Sequence, residues 1–374
     1  MKIVADDKIP FLKGVLEPFA EVVYLPGGDI SREIVLDADA LLTRTRTKCT
    51  SSFLRGTKLK FIGTATIGFD HIDTDYCQKN NIFWTNAPGC NSSSVQQYMI
   101  SAMLKVAEKS HFALRGKTIG IVGAGNVGSK VEKFARLTGM KVLVNDPPRA
   151  RSEGGNNFVD LQVIMKESDI ITFHVPLNMA GKDKTWHLLD RAVSGTVKKG
   201  LWVFNTSRGE VTGTDVLKNI IKNGLAGGVV LDVWENEPFI DTFLMSEVFL
   251  ATPHIAGYSA DGKANGTSMV VNALCDYFSL PLKNWYPFIP PPPEPLIRID
   301  TTGKKDEEII REAVMHTYNV CKDDSDLRSD PSLFEKLRGD YGLRREFSAY
   351  TTELLPYSSD VAGVLNELGF SVKY

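Results

Sequence analysis

The chain has 374 residues, room for two or three domains of about 150 residues each, with 43% apolar and 24% charged side chains. That composition excludes wholesale disorder. A formal charge of -2, from 43 basic and 45 acidic residues, supplies no global surface for nucleic acid or an anionic membrane.

Cys49, Cys77, Cys90, Cys275 and Cys321 are odd in number and never form CxxC, which predicts buried thiols in a reducing compartment and no structural zinc. MKIVADDKIP has acidic residues and Pro10 where a signal peptide needs an apolar run, and no later stretch is apolar for about 18 residues. A soluble, cytoplasmic, metal-free protein is expected.

In chain order, MKIV, EVVYLP, ADALLTRT and KLKFIGTA predict strands separated by stretches that can hold helices. NSSSVQQYMISAMLKVAEK, residues 91 to 109, has Ser caps and helical periodicity, and predicts a helix linking two domains. A second series follows: KTIGIVGAG, KVLVNDPP, DIITFHVP, LWVFNTSRG and GGVVLDVWE. Compact apolar runs at this spacing predict a parallel sheet with helices on both faces. A second connecting helix is expected at 259 to 279, and FIPPPPEP, 288 to 295, marks a boundary that no helix crosses. Beyond it, EEIIREAVMHTYNVCKDD, LFEKLRGDYGLRREF and residues 358 to 368 read as helices of a folded tail.

Gly123, Gly125 and Gly128 form GxGxxG directly after a predicted strand and at the start of a predicted helix, with Asn126 and Val127 inside the motif. This context points to dinucleotide binding: the first glycines allow a tight turn and close approach of a pyrophosphate, and the third allows helix and strand to pack. Asp146 ends KVLVND and suits the acceptor for an adenosine ribose, favouring NAD. Arg149 keeps NADP as the alternative, since an arginine can take a ribose phosphate. His174 and Val175 end the next strand, where a sheet crevice meets a cofactor, although Val175 also suits a core position.

Arg208 in NTSRG, Glu237 in DVWENEP and His254 in ATPHIAG each follow an apolar run and can reach one crevice at the carboxyl ends of the strands. An imidazole can take a hydroxyl proton near neutral pH while a carboxylate orients the ring, so His254 and Glu237 suit an acid/base pair. The guanidinium of Arg208 suits the carboxylate and developing carbonyl of a 2-hydroxy acid. Thr206 and Ser207 of the same segment are cofactor candidates, and Asp232 either caps a turn or accepts from the nicotinamide carboxamide. His71, His111, His187 and His316 show no grouped ligand pattern, and Cys90 has no clear base partner.

NAPGCNSSSVQQY, GIVGAGNVGSKV, NDPPR, FNTSRGE, LDVWENEP, PHIAGYS and GLRREF resemble the erythronate-4-phosphate dehydrogenases, a branch of the D-isomer-specific 2-hydroxyacid dehydrogenases. The wider resemblance covers residues 1 to 280 and the narrower one the tail as well. It implies an α/β architecture: a flavodoxin-like substrate domain at 1–95 and 258–287, a Rossmann-like NAD-binding domain at 96–257, and a separate α+β C-terminal dimerisation domain at 288–374. It further implies a homodimer that oxidises 4-phospho-D-erythronate with NAD in pyridoxal 5'-phosphate biosynthesis. Arg208 and Glu237 match its active-site positions and His254 its acid/base. Asp146, Val175, Asp232 and Gly257 match or adjoin cofactor positions, while Thr45, Thr66 and Tyr258 match substrate contacts. The family pattern usually has serine at Thr45 and threonine at Val175; the first departure keeps a hydroxyl and the second leaves only backbone bonding. Arg44, Arg46 and Lys48 cluster around Thr45, and of these Arg44 and Lys48 are the candidates for a substrate phosphate, against a solvated charge cluster. Arg344 and Arg345 either help bind phosphate across a dimer interface or are surface or folding residues. D-3-phosphoglycerate dehydrogenase, and a nonenzymatic dinucleotide-dependent interaction protein, are the competing readings.

Overall fold

The computed structural model describes residues 1–193 and 197–373, so Tyr374, the last residue of the expected C-terminal domain, lies outside it. The chain divides into two compact units, one of Met1–Asn91 with Ser259–Pro290, the other of Ser92–Tyr258 with the chain from Pro291 onwards.

In the first unit, β1 (Lys2–Asp6), β2 (Glu21–Leu25), β3 (Ala40–Thr43), β4 (Phe61–Thr64) and β5 (Phe83–Thr85) form a sheet in the order β2-β1-β3-β4-β5. All neighbours are parallel, and this is the flavodoxin-like order. Strands β3 and β4 are buried throughout, as their unalternating apolar sequences require. One face packs on Val270, Val271 and Leu274 of the Ala260–Tyr277 helix, the other on Val35, Leu54 and Cys77. That helix begins where the Ser259 hydroxyl accepts the Gly262 N–H at 2.8 Å, within the span expected from sequence. Strand β5, three residues at a sheet edge, gives no apolar run long enough to predict.

The second unit holds β6 (Thr118–Val122), β7 (Lys141–Asn145), β8 (Ile170–Phe173), β9 (Leu201–Asn205), β10 (Ala226–Leu231) and β11 (Leu250–Ala251). They form a parallel sheet in the order β11-β10-β9-β8-β6-β7. The chain leaves β6 for β7 on one side and returns to β8 on the other, so the strand order reverses beside β6. Open α/β sheets bind ligands at that reversal, outside the strands' carboxyl ends.

The tail adds a parallel sheet of β12 (Leu296–Asp300), β13 (Thr351–Leu355) and β14 (Ser371–Lys373). Its Asp306–Thr317 and Ser359–Leu368 helices share one apolar core with the Ser92–Lys109 helix, a cluster that includes Ile309, Val314 and Leu365 of the tail and Met99 and Met103 of the long helix. The Ser92–Lys109 helix is therefore buried nearly all round. Its polar side chains find partners in the tail: Ser94 donates to Glu346 at 2.8 Å, Gln97 to the Arg345 carbonyl at 3.0 Å, and Ser101 to the Tyr318 carbonyl at 3.0 Å. These bonds satisfy groups that burial would otherwise penalise.

Two helix expectations in the tail need correction. EEIIREAVMHTYNVCKDD is not one helix but Asp306–Thr317 and Val320–Ser329, broken where Tyr318 is extended at φ -158°. LFEKLRGDYGLRREF is helical only over Phe334–Gly339, after which Arg344, Glu346 and Phe347 turn inward. In both places tertiary burial overrides local periodicity.

Candidate active site

The turn after β6 has the geometry of a dinucleotide cradle. Gly123 has φ +88°, and a Cβ there would lie 2.5 Å from the His174 carbonyl oxygen; one at Gly128 would lie 2.0 Å from the Gly123 carbonyl oxygen. Only glycine allows β6, the following turn and the Gly128–Leu137 helix to approach this closely. A Cβ at Gly125 would meet nothing within 4 Å, so the backbone there is open to a pyrophosphate. Asn126 is exposed and Val127 half-buried beside it. The residues fit the cofactor's phosphate end.

Asp146 caps the Pro147–Glu153 helix by accepting the Arg149 N–H at 3.1 Å, and its other oxygen accepts the Ala124 N–H at 2.9 Å. Each oxygen retains a lone pair for a ribose hydroxyl. Arg149 is turned to its own surroundings, donating to the Ala124 carbonyl at 2.6 Å and to both oxygens of Glu153 at 2.7 and 2.8 Å. Next to the cradle, Val175 reaches within 2.7 Å of the position a Gly123 Cβ would take. The His174 ring lies 2.9 Å from the Thr172 hydroxyl and 3.4 Å from that of Thr206, and burial pushes its pKa down to about 3. A neutral imidazole therefore lines this part of the crevice.

Residues Thr206 to Gly209 follow β9. Asn205 accepts from the Ser207 backbone and hydroxyl at 3.0 and 2.8 Å and donates to the Arg208 carbonyl at 2.8 Å, fixing the turn that carries the Arg208 side chain. Gly209 presses on the next loop, since a Cβ there would lie 2.0 Å from the Trp234 carbonyl carbon. NTSRG and DVWENEP are thus brought together by direct backbone contact.

In the second of these loops Glu237 accepts the Trp234 N–H at 3.0 Å, while its other oxygen lies 2.7 Å from His254 Nδ1. Burial pushes the Glu237 carboxyl up, but the hydrogen bond and charge of His254, the Trp234 N–H and the charge of Arg338 outweigh burial and hold it below the usual range. An ionised Glu237 fixes Nδ1 as the protonated nitrogen and leaves Nε2 for exchange with a substrate. His254 itself has φ +56°, a left-handed conformation that a non-glycine residue holds only where its surroundings impose it. Asp232, 1% exposed, supplies part of that constraint: it accepts the Thr252 hydroxyl at 2.7 Å and the Ile255 and Ala256 N–H groups at 2.8 and 2.9 Å. Most of its acceptor capacity is spent within the turn. Gly257 and Tyr258 complete the turn, the Tyr258 N–H donating to the Ile255 carbonyl at 2.8 Å.

In the first unit, Thr45 and Thr66 follow β3 and β4, whose ends pair at Thr43 and Thr64. The Thr66 hydroxyl donates to the Gly68 carbonyl at 2.9 Å and lies 2.7 Å from that of Thr64. Thr45 and Lys48 are exposed, and half-buried Arg44 donates to the Lys8 carbonyl at 3.2 Å. Nearby, burial and then the Lys48 charge push His71 down to about 4. The carboxyl ends of these strands thus present hydroxyls and cations suited to an oxyanion.

Residues 92–256 match the D-isomer specific 2-hydroxyacid dehydrogenase NAD binding domain, and 289–369 a domain of unknown function. The chain is 51% identical over 352 residues to an erythronate-4-phosphate dehydrogenase of Bacteroides thetaiotaomicron, covering 94% of this chain and 98% of that one. It belongs to the D-isomer-specific 2-hydroxyacid dehydrogenases. A second member so named, from Porphyromonas gingivalis, is 39% identical over 371 residues, covering 99% of this chain and all of its own. The fold is shared with the D-lactate dehydrogenase of Aquifex aeolicus complexed with NAD and lactic acid, with a TM-score of 0.61 at 24% identity over 75% of this chain and 96% of that one.

For this 2-hydroxyacid dehydrogenase, sequence reasoning missed the groups that the tail sends to the site. The Arg338 guanidinium lies 5.9 Å from the Tyr258 ring centre and adds its charge near Glu237. Arg344 is buried in its own unit and Arg345 is half-buried. Separations of 80 residues or more give no local signal for such contacts. Among the described residues, no helix is long and apolar enough to cross a membrane, and no group of three or more His, Cys, Asp or Glu could hold a metal.

Proposed function

We propose that the chain oxidises 4-phospho-D-erythronate to 3-hydroxy-2-oxo-4-phosphooxybutanoate with NAD, as a cytoplasmic homodimer serving pyridoxal 5'-phosphate biosynthesis. The carrying observation is the His254–Glu237 pair, 2.7 Å apart, in a chain whose likeness to the named relatives extends through the tail. Arg208 holds the substrate carboxylate and polarises the reacting oxygen. His254 Nε2 takes the hydroxyl proton, and Glu237 orients the ring and stabilises the imidazolium. NAD, held by the Gly123–Gly128 turn and Asp146, would supply the hydride acceptor for the carbon that bears the hydroxyl. Arg44 and Lys48 bind the phosphate, with hydroxyls from Thr45, Thr66 and Tyr258 as further substrate contacts.

Asp146 supports NAD over NADP because its carboxylate repels an added ribose phosphate, while Arg149 is engaged by Glu153. Leu343 and Leu355, 55% and 53% exposed, leave apolar surface on the tail for a second copy. Anaerobic mixing with 4-phospho-D-erythronate or D-3-phosphoglycerate, each with NAD or NADP, tests the reading through nicotinamide absorbance and product mass. Oxidation of the first acid with NAD is expected. Efficient oxidation of D-3-phosphoglycerate beside negligible oxidation of the erythronate overturns it, and light scattering checks the dimer.

A further inference from the structure

The tail that follows the proline run reaches directly behind the catalytic turn. Arg344, 6% exposed, donates Nη2 to the Ala256 carbonyl at 2.5 Å and to the Ser94 carbonyl at 3.0 Å, and Nη1 to the Ile255 carbonyl at 3.4 Å. The N–H groups of those same residues, Ile255 and Ala256, are the ones that Asp232 accepts at 2.8 and 2.9 Å. The turn is therefore gripped on both polar edges, by a carboxylate of the dinucleotide-binding fold and by a guanidinium of the tail.

The grip has its own support. The Arg344 guanidinium lies 4.3 Å from the Tyr318 ring centre, and Tyr318 and Tyr341 donate their hydroxyls to Asp323 at 2.7 and 2.8 Å. Burying a guanidinium is costly in lost hydration, and hydrogen bonds and opposing charge offset that cost. Here two chain segments supply carbonyls to Nη1 and Nη2, the Tyr318 face covers the planar group and Asp323 adds opposing charge, while Nε is left without a hydrogen-bond partner. A lysine has a single nitrogen, which cannot reproduce the planar fork that spans these carbonyls. The consequence falls on His254, immediately before the gripped peptides, whose φ of +56° needs such constraint.

We propose that Arg344 is a positioning residue for the reaction, through which the C-terminal domain clamps the Ile255–Ala256 peptides of its own chain and holds His254 and Tyr258 in working geometry. The catalytic part of this proposal rests on the dehydrogenase reading above; the clamp itself does not. The domain is then part of the catalytic apparatus as well as a candidate surface for a second copy.

Three variants, Arg344→Lys, Tyr341→Phe and Val361→Ala, separate positioning from plain stability. Val361 is a fully buried residue of the tail's Ser359–Leu368 helix and serves as the stability control. Steady-state kinetics, thermal melting and hydrogen exchange of peptides covering 252 to 259 are measured on each full-length protein. Arg344→Lys is expected to lower kcat by about 10- to 100-fold, the scale of a small misplacement of a catalytic group. The KM for NAD stays within about twofold, because the phosphate end of the cofactor site is built elsewhere, and the amides of Ile255 and Ala256 exchange faster. Val361→Ala lowers Tm and leaves kcat and those amides unchanged. An Arg344→Lys enzyme that loses stability but keeps kcat and amide protection overturns the proposal. If it does not fold, Tyr341→Phe decides: lower kcat with faster exchange supports the clamp, and no change in either overturns it. A wild-type protein inactive on every hydroxy acid rejects the dehydrogenase reading, while exchange still tests the clamp.

Discussion

The Gly123–Gly128 turn and the His254–Tyr258 turn both lie at the carboxyl end of one sheet, yet they are held by opposite means. The first is shaped by its own residues: glycine at φ +88°, and a helix start that no side chain may separate from the Gly123 carbonyl. The second takes its shape from elsewhere, through Asp232 on its N–H groups, Glu237 on its imidazole and Arg344 on its carbonyls. A locally encoded turn suits a cofactor site that can be formed before substrate arrives. A turn held from three directions suits an imidazole whose geometry must survive a change of charge.

This contrast predicts a separation of binding from turnover. The largest effect belongs to His254→Ala, expected to lower kcat by about 10²- to 10⁴-fold through loss of acid/base chemistry. Calorimetry with NAD should show unchanged affinity; loss of cofactor binding with it would break the division between the two turns. Gly128→Ala strikes the other turn, forcing a Cβ to within 2.0 Å of the Gly123 carbonyl oxygen. It should destabilise the fold by about 1–3 kcal/mol and weaken NAD binding while saturated kcat changes little, which melting and titration can check.

Glu237→Gln should have a smaller effect, about tenfold on kcat, because the amide oxygen can still accept from one of the two donors, His254 Nδ1 or the Trp234 N–H, but no longer stabilises an imidazolium. Its diagnostic is pH dependence. A stability effect has its own sign. Glu237 is held below its ordinary carboxyl value, so it contributes stability above the ordinary range and loses it as pH falls through the lowered value. The variant should lack that component of acid destabilisation, which denaturant midpoints measured from pH 3 to 7 would reveal.

The same division decides what was legible beforehand. Apart from the short edge strands β5 and β11, the strands of the two larger sheets announce themselves as apolar runs, and the cradle as glycines whose spacing has a steric meaning within six residues. Arg208, Glu237 and His254 could be picked out because each closely follows a strand. The partners of Asp232 could not, because Ile255 and Ala256 lie on a loop whose path depends on tertiary contacts. Tyr318 and Arg344 were hidden for a related reason: they sit in stretches with helical periodicity, and burial against the Ser92–Lys109 helix and the catalytic turn draws them out of helix. Local pattern reports where a chain can be helical; it carries no information on which carbonyl, 88 residues away, needs a donor.

The smallest expected effect probes the cofactor's ribose end of the same comparison. Asp146→Asn keeps one acceptor oxygen, enough to cap the Arg149 N–H, but turns an NH2 towards the Ala124 N–H in place of the second oxygen, so the helix start should persist with one bond lost. It removes the charge that disfavours a ribose phosphate, whereas Arg149 remains tied to Glu153. The ratio of kcat/KM for NADP over NAD should therefore rise only about fivefold, on the order of 1 kcal/mol. Adding Glu153→Gln releases Arg149 from its ion pair and should raise that ratio further. If neither change moves the ratio, Asp146 serves the protein's turn alone. If kcat falls with saturating NAD while the ratio is unchanged, the two turns are coupled and the division drawn between them fails.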